Sequence, residues 1–105
     1  MRVYISGKMS GLDKGYFKNR FAAAEGILRY RGFDVINPAR LSDFNLNYAE
    51  FMLIDTTLLT MCDAIYLLDN WQDSNGAKEE KALAEAKGLK IMYEVEPDRR
   101  AECQY

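Results

Sequence analysis

The chain has 105 residues, room for one domain and not for two. Hydrophobic residues make up 49% and charged residues 29%, a balance that excludes a disordered chain. With 14 Lys+Arg against 16 Asp+Glu and no histidine, the chain is mildly acidic and is not expected to be a general binder of nucleic-acid polymers, which need a basic face. The missing histidines also exclude Ser-His-Asp and Cys-His catalysis and every His-ligated metal site.

In chain order, Arg2–Ser6 is short, β-rich and stopped by Gly7, which predicts a strand. Residues 7–15 carry three glycines with Ser10 and Asp13 and read as a loop. Phe17, Phe21, Ala24 and Leu28 recur at helical spacing and predict a helix over 16–31, closed by Gly32. Residues 33–36 form a second expected strand, ended by Asn37-Pro38, and residues 39–46 read as loop. Asn47 with Glu50 three residues later is a capping pair for a helix over 48–61. The continuous apolar run at 64–68 predicts a strand buried on both faces. A polar loop fills 69–76, an Ala/Lys/Glu-rich helix 77–87, and a fourth strand 89–94. The expected organisation is one α/β domain over 1–94 and a charged tail over 95–105.

This β-α-β-α-β-α-β order predicts a three-layer open sheet of about four parallel strands with helices on both faces, flavodoxin/Rossmann-like. Ligands of such sheets bind beyond the carboxyl ends of the strands. The loops there hold Ser6, Gly7, Lys8, Asp69, Trp71, Ser74 and Gly76, all candidate binding residues. Cys62 and Cys103 have no metal-type spacing and suit a reducing compartment. No apolar run approaches a membrane span, and the start of the chain enters a strand at once. A cytoplasmic protein without cofactor, metal or membrane partner is the expectation. A small four-stranded sheet leaves exposed edges, so a homodimer or larger assembly is expected, with the second and third helices and the tail as contacts.

Asp55 lies four residues after Phe51 and three before Leu58, on the core-facing stripe of its helix. Two readings stand for it. Desolvation would raise its pKa and suit it to general-acid work. Alternatively it is a buried aspartate bonded to backbone of a neighbouring loop. Glu79 and Glu80 both flank the buried stripe of the third helix, and periodicity does not choose between them. First-turn acids also simply answer the helix dipole. Ser74-Asn75-Gly76 before that helix suits an anion cradle or a plain N-cap. Ser6-Gly7-Lys8 lacks the P-loop and dinucleotide-fold spacings. Asp63 reads as a strand-start cap, Tyr4 as core, and Trp71 as a loop aromatic able to stack on a base.

Three segments together resemble the nucleoside 2-deoxyribosyltransferase-like superfamily, which includes deoxynucleoside monophosphate N-glycosidases. They are Tyr4-Ile5-Ser6-Gly7 with Ser10-Gly11, Asp55 with Asp63 eight residues on, and Ser74-x-Gly76-x-x-x-Glu80-x-x-x-Ala84-x-x-x-Gly88. The resemblance selects Glu80 as the nucleophile on C1′, Tyr4 as the residue holding it, and Asp55 as the group that protonates the departing base. It brings Asp63 into the binding set and implies a 5′-phosphate at Ser74 to Gly76. Where the glycosidase branch has a phosphate-contacting arginine, this chain has Ser10, with Lys8 nearby as a point charge. The implied function is nucleoside or nucleoside 5′-monophosphate N-glycosidase or 2-deoxyribosyltransferase-like chemistry, in a small-molecule-binding homo-oligomer. Two alternatives belong to other classes: a nucleotide-binding or sensing module without turnover, and a small interaction protein in which Asp55 is a satisfied core residue.

Overall fold

The computed structural model describes residues 1–96. Four strands, β1 (Arg2–Ser6), β2 (Asp34–Ile36), β3 (Ala64–Leu67) and β4 (Lys90–Tyr93), alternate with α1 (Lys14–Tyr30), α2 (Tyr48–Thr60) and α3 (Asn75–Ala86). All pairings are parallel and the sheet order is β2-β1-β3-β4. The chain thus winds outward in both directions from β1 and β3, and the carboxyl ends of these two strands form the switch point of the sheet. The predicted open α/β sheet is the observed one. The charged tail expected over 95–105 lies, from residue 97 on, outside the described residues.

Caps set the places where the helix bounds differ from expectation. Asp13 accepts the amide of Tyr16 at 3.1 Å and starts α1 at Lys14 instead of 16. Ser74 accepts the amide of Ala77 at 3.1 Å and starts α3 at Asn75 instead of 77. Residues 38–43 form a 3-10 turn where loop was expected from 39 on, because the Asn37 side chain accepts the amide of Ala39 and Pro38 fixes the first φ. Around α2 the capping box is reciprocal: Glu50 N–H donates to Asn47 Oδ1 at 2.8 Å, and Asn47 N–H to Glu50 Oε1 at 2.9 Å.

Side-chain alternation along β1 divides the core. Val3 and Ile5 pack with Phe17, Phe21, Ala24 and Leu28 under α1, while Tyr4 packs with Leu59, Ile65, Leu67 and Ala84 under α2 and α3. Tyr4 and Ser6 therefore share the face that meets α3. The apolar stripe read along α2 is less buried than expected: of Phe51, Ile54, Leu58 and Leu59, only Leu59 is fully enclosed, and Leu53 is 70% exposed.

Candidate active site

Ser6 ends β1 beneath the first turns of α3, whose inward face is Ala77, Glu80 and Ala84. This spacing brings Glu80 down onto β1. Tyr4 Oη donates to Glu80 Oε2 at 2.5 Å, and Ser6 Oγ donates to Oε1 at 2.7 Å. Glu80 is 5% exposed, and none of the ion pairs among the described residues includes it. Burial pushes its carboxyl up to about 7; the Tyr4 and Ser6 hydroxyls act against this, and the charge of Asp55 adds to it. Tyr4 is itself raised well above its ordinary value by burial and by the carboxylates of Glu80 and Asp55, so it stays protonated and donating.

Asp55 stands on α2, across the pocket from α3. It too is 5% exposed, and its Oδ1 is fully enclosed with no hydrogen-bond partner among the described residues. Burial alone pushes its carboxyl up to about 7. The reading of Asp55 as a carboxylate satisfied by backbone is therefore not what the fold shows. Both carboxyls resist ionisation, but only Glu80 has hydroxyl donors to stabilise a charge. The Tyr4 and Ser6 hydroxyls oppose the rise at Glu80, and no such donor acts on Asp55 among the described residues.

The two groups open into a cavity of about 990 Å³ that also meets Gly7, Lys8, Ser74 and Gly76. Gly7 is required there: a Cβ would come within 2.7 Å of Leu68 Cδ1, so only glycine lets the loop leave β1 this close to β3. At Gly76 a Cβ would touch Met52 Sδ at 3.4 Å, narrowing the floor of the pocket. Ser74 caps α3, leaving the amides of Asn75 and Gly76 at its N-terminus free of intrahelical partners. Ser6 lies behind Glu80, holding it, and does not line the cavity.

Three expected binding residues lie elsewhere. Asp63 is at the opposite, amino end of the sheet, where its carboxylate accepts the amide of Arg2 at 2.8 Å; it caps the strand start. Asp69 turns back to α1 and pairs with Arg20 at 2.6 Å. Trp71 packs on Tyr93, with centroids 6.3 Å apart, and lies under Lys81, in a smaller hollow with Asp69. The 3-10 turn at Trp71–Asp73 carries Asp69 and Trp71 outward before Ser74 returns the chain to the pocket.

Sequence reasoning missed Tyr48, Met52 and Lys78, which line the cavity together with Phe51. The first two had a signal: positions 48, 51, 52 and 55 share one face of α2, so whatever surface displays Asp55 displays them. Lys78 follows the capping Ser74 by four residues and is exposed at the pocket mouth. Among the described residues, no cluster of three His, Cys, Asp or Glu side chains suits a metal ion, and no helix is long and apolar enough to cross a membrane.

No curated protein matches the chain. Among solved structures, the CMP N-glycosidase BcmB of Clostridium botulinum is similar with a TM-score of 0.63 and 22% identity, over 89% of this chain and 67% of that chain. The likeness is one of fold: both chains share the open parallel α/β architecture described above. A family model matches residues 1–93, and the chain belongs to the family it describes, the domain of unknown function DUF4406.

Proposed function

We propose that this protein cleaves the N-glycosidic bond of a nucleoside or nucleoside 5′-monophosphate, with Glu80 as nucleophile and Asp55 as acid. The observation that carries this reading is the pair of buried carboxyls with unequal partners: Glu80 bonded by two hydroxyls, Asp55 by none among the described residues, both open to one cavity. N-glycoside cleavage passes through an oxocarbenium-like state that needs one carboxylate and one carboxylic acid. The two hydroxyl donors on Glu80, with none on Asp55 among the described residues, support that division of roles.

In the proposed reaction Glu80 attacks C1′ as the bond to the base nitrogen breaks, and Asp55 gives its proton to the leaving base. A glycosyl ester on Glu80 results. Water then attacks C1′, its proton passes to the Asp55 carboxylate, and Glu80 leaves as carboxylate. Base and sugar are released and both carboxyls regain their starting states. The cavity volume is of the size that takes a ligand of nucleotide dimensions. The Asn75 and Gly76 amides, with Lys8 and Lys78 at the mouth, suit a 5′-phosphate. The likeness to a CMP N-glycosidase, although at fold level, is in keeping with this substrate class.

The test is incubation with a panel of nucleosides, deoxynucleosides and their 5′-monophosphates, following free base by chromatography, with Glu80→Gln as control. Base release that disappears in Glu80→Gln is expected. Absence of release with every substrate, together with thermal stabilisation by a nucleotide in both proteins, would replace the enzyme with a binding module.

A further inference from the structure

The two edges of the sheet are finished differently. At the β2 edge, Asp34 N–H donates to Met1 O, so Asp34 and Ile36 turn toward β1 and Val35 faces outward. Arg29 Nη2 reaches the outward Val35 carbonyl at 3.4 Å, and Asn37-Pro38 ends the strand after three residues. This edge is short and covered. At the β4 edge, Lys90 N–H donates to Asp63 O and Glu94 N–H to Leu67 O. Alternation turns Met92 inward as well and leaves the N–H and C=O of Ile91 and Tyr93 facing outward. Among the described residues no group meets them. β4 has no proline, and its side chains after Lys90, those of Ile91, Met92 and Tyr93, are half-buried apolar groups.

We infer that β4 pairs antiparallel with β4 of a second copy of this chain, across a two-fold axis at Met92, joining the two sheets into one. Charge fixes the register. Outward residues must face outward residues, so Ile91 faces either Ile91, Tyr93 or Val95 of the partner subunit. Only the middle choice sets Lys90 opposite Glu94 of the partner subunit, twice by symmetry. Glu94 already pairs with Arg20 at 2.8 Å, and Arg20 also holds Asp69 at 2.6 Å. Two carboxylates share one guanidinium, which leaves this group one positive charge short. Lys90 of the partner subunit supplies it on the same face, since residues 90, 92 and 94 all alternate to the α1 side, where Met92 packs. In this register Ile91 and Tyr93 of the two copies exchange both main-chain bonds, and the two Met92 residues meet as a non-bonded pair about 4.5 Å apart at Cα.

The register makes the test specific. In a Cys103→Ser background, Met92→Cys should form a homodimeric disulfide under mild oxidation, because a separation of about 4.5 Å lies in the disulfide range. Lys90→Cys and Glu94→Cys, which face each other and not themselves, should not. Sedimentation of the unmodified full chain should give twice the 12.1 kDa chain mass. Ile91→Pro, which a strand tolerates where its N–H points away from the sheet, should raise the dimer dissociation constant about tenfold or more. Leu53→Glu, on the exposed face of α2, should not change it. A monomer at tens of micromolar overturns the inference, and so does a dimer dispersed by Leu53→Glu and not by Ile91→Pro. A chain that dimerises only after removal of residues 97–105 overturns it too, since its own tail would then hold the edge. Each readout is independent of whether the protein cleaves nucleosides.

Discussion

Among the described residues three carboxylates are buried, and they sit in two kinds of surroundings. Glu25, 6% exposed on α1, accepts Arg29 Nε at 2.8 Å, Asn37 Nδ2 at 3.0 Å and Arg40 Nη2 at 3.0 Å. Burial pushes its pKa up, but these donors outweigh it and leave the carboxyl below its ordinary value. Glu80 and Asp55 are buried as deeply, yet no guanidinium or ammonium pairs with either among the described residues, and both are pushed up to about 7. Burial is thus common to all three and does not mark function. What separates them is the positive partner: Glu25 is neutralised and joins α1 to the 3-10 turn after β2, whereas the pocket pair has no cation paired with it among the described residues and sits beside open space. A carboxyl kept that way weakens the fold and suits proton transfer near neutrality.

The sharpest break of this comparison is at the nucleophile. Glu80→Gln should lower base release by about three orders of magnitude or more, since a neutral amide cannot attack C1′. Tm should hold or rise, because an uncompensated buried charge is gone. Glu25→Leu should do the reverse: it removes the carboxylate that joins Arg29, Asn37 and Arg40 and costs about 1 kcal/mol in denaturant unfolding, since both guanidiniums remain exposed to water. Activity per folded molecule should stay near that of the unmodified protein. If instead Glu25→Leu abolished turnover in a folded protein, the division between the two surroundings would be wrong.

Asp55→Asn comes next, and its two effects have opposite signs. Base release should fall about a hundredfold for loss of the acid. Stability at pH 8 should rise by on the order of 2 kcal/mol, as the isosteric amide carries no charge to desolvate. The pH dependence follows from the same shift. A carboxyl at about 7 in the folded chain and 3.8 unfolded binds more protons when folded, so stability is full below about 4, falls as pH rises to 7, and levels off above. Glu25, held below its ordinary value, has the contrary slope: its contribution is present above that value and is lost as pH falls through the lowered one. Tm of the unmodified protein should decline from pH 5 to 8, and Asp55→Asn should flatten about half of that decline, since Glu80, also raised to about 7, carries the rest.

How much of this was legible beforehand follows from which interactions are local. Element order and most bounds were readable, because Asn47-Glu50, Gly32 and the apolar run 64–68 act within a few residues of themselves. The α1 and α3 starts shifted by two because a cap one turn earlier, Asp13 or Ser74, recruits extra residues into the helix. Asp55 stood out as a charge on an apolar stripe, and Glu80 emerged only through resemblance, since its burial depends on Tyr4 and Ser6, more than seventy residues away. Asp69 and Trp71 were misplaced for the same reason. Position after a strand puts a residue near the pocket edge, but Arg20 on α1 and Tyr93 on β4 draw these two outward. No local pattern records such partners.

The smallest of the expected effects tests what keeps the charge on Glu80. Tyr4→Phe removes one of its two donors and leaves the Ser6 bond at 2.7 Å. Loss of a donor to the charged form raises the Glu80 pKa. In the unmodified protein, base release should follow a bell in pH centred near 7, with Glu80 ionisation on the acid side and Asp55 deprotonation on the alkaline side. Tyr4→Phe should move the acid limb upward, narrow the bell, and lower the maximum about tenfold, with the alkaline limb in place. Ser6→Ala should move the same limb in the same direction, because its hydroxyl serves the other oxygen of the same carboxylate. If both variants left the acid limb fixed, the two hydroxyls would be packing groups, and the division of one proton between Asp55 and Glu80 would need another cause.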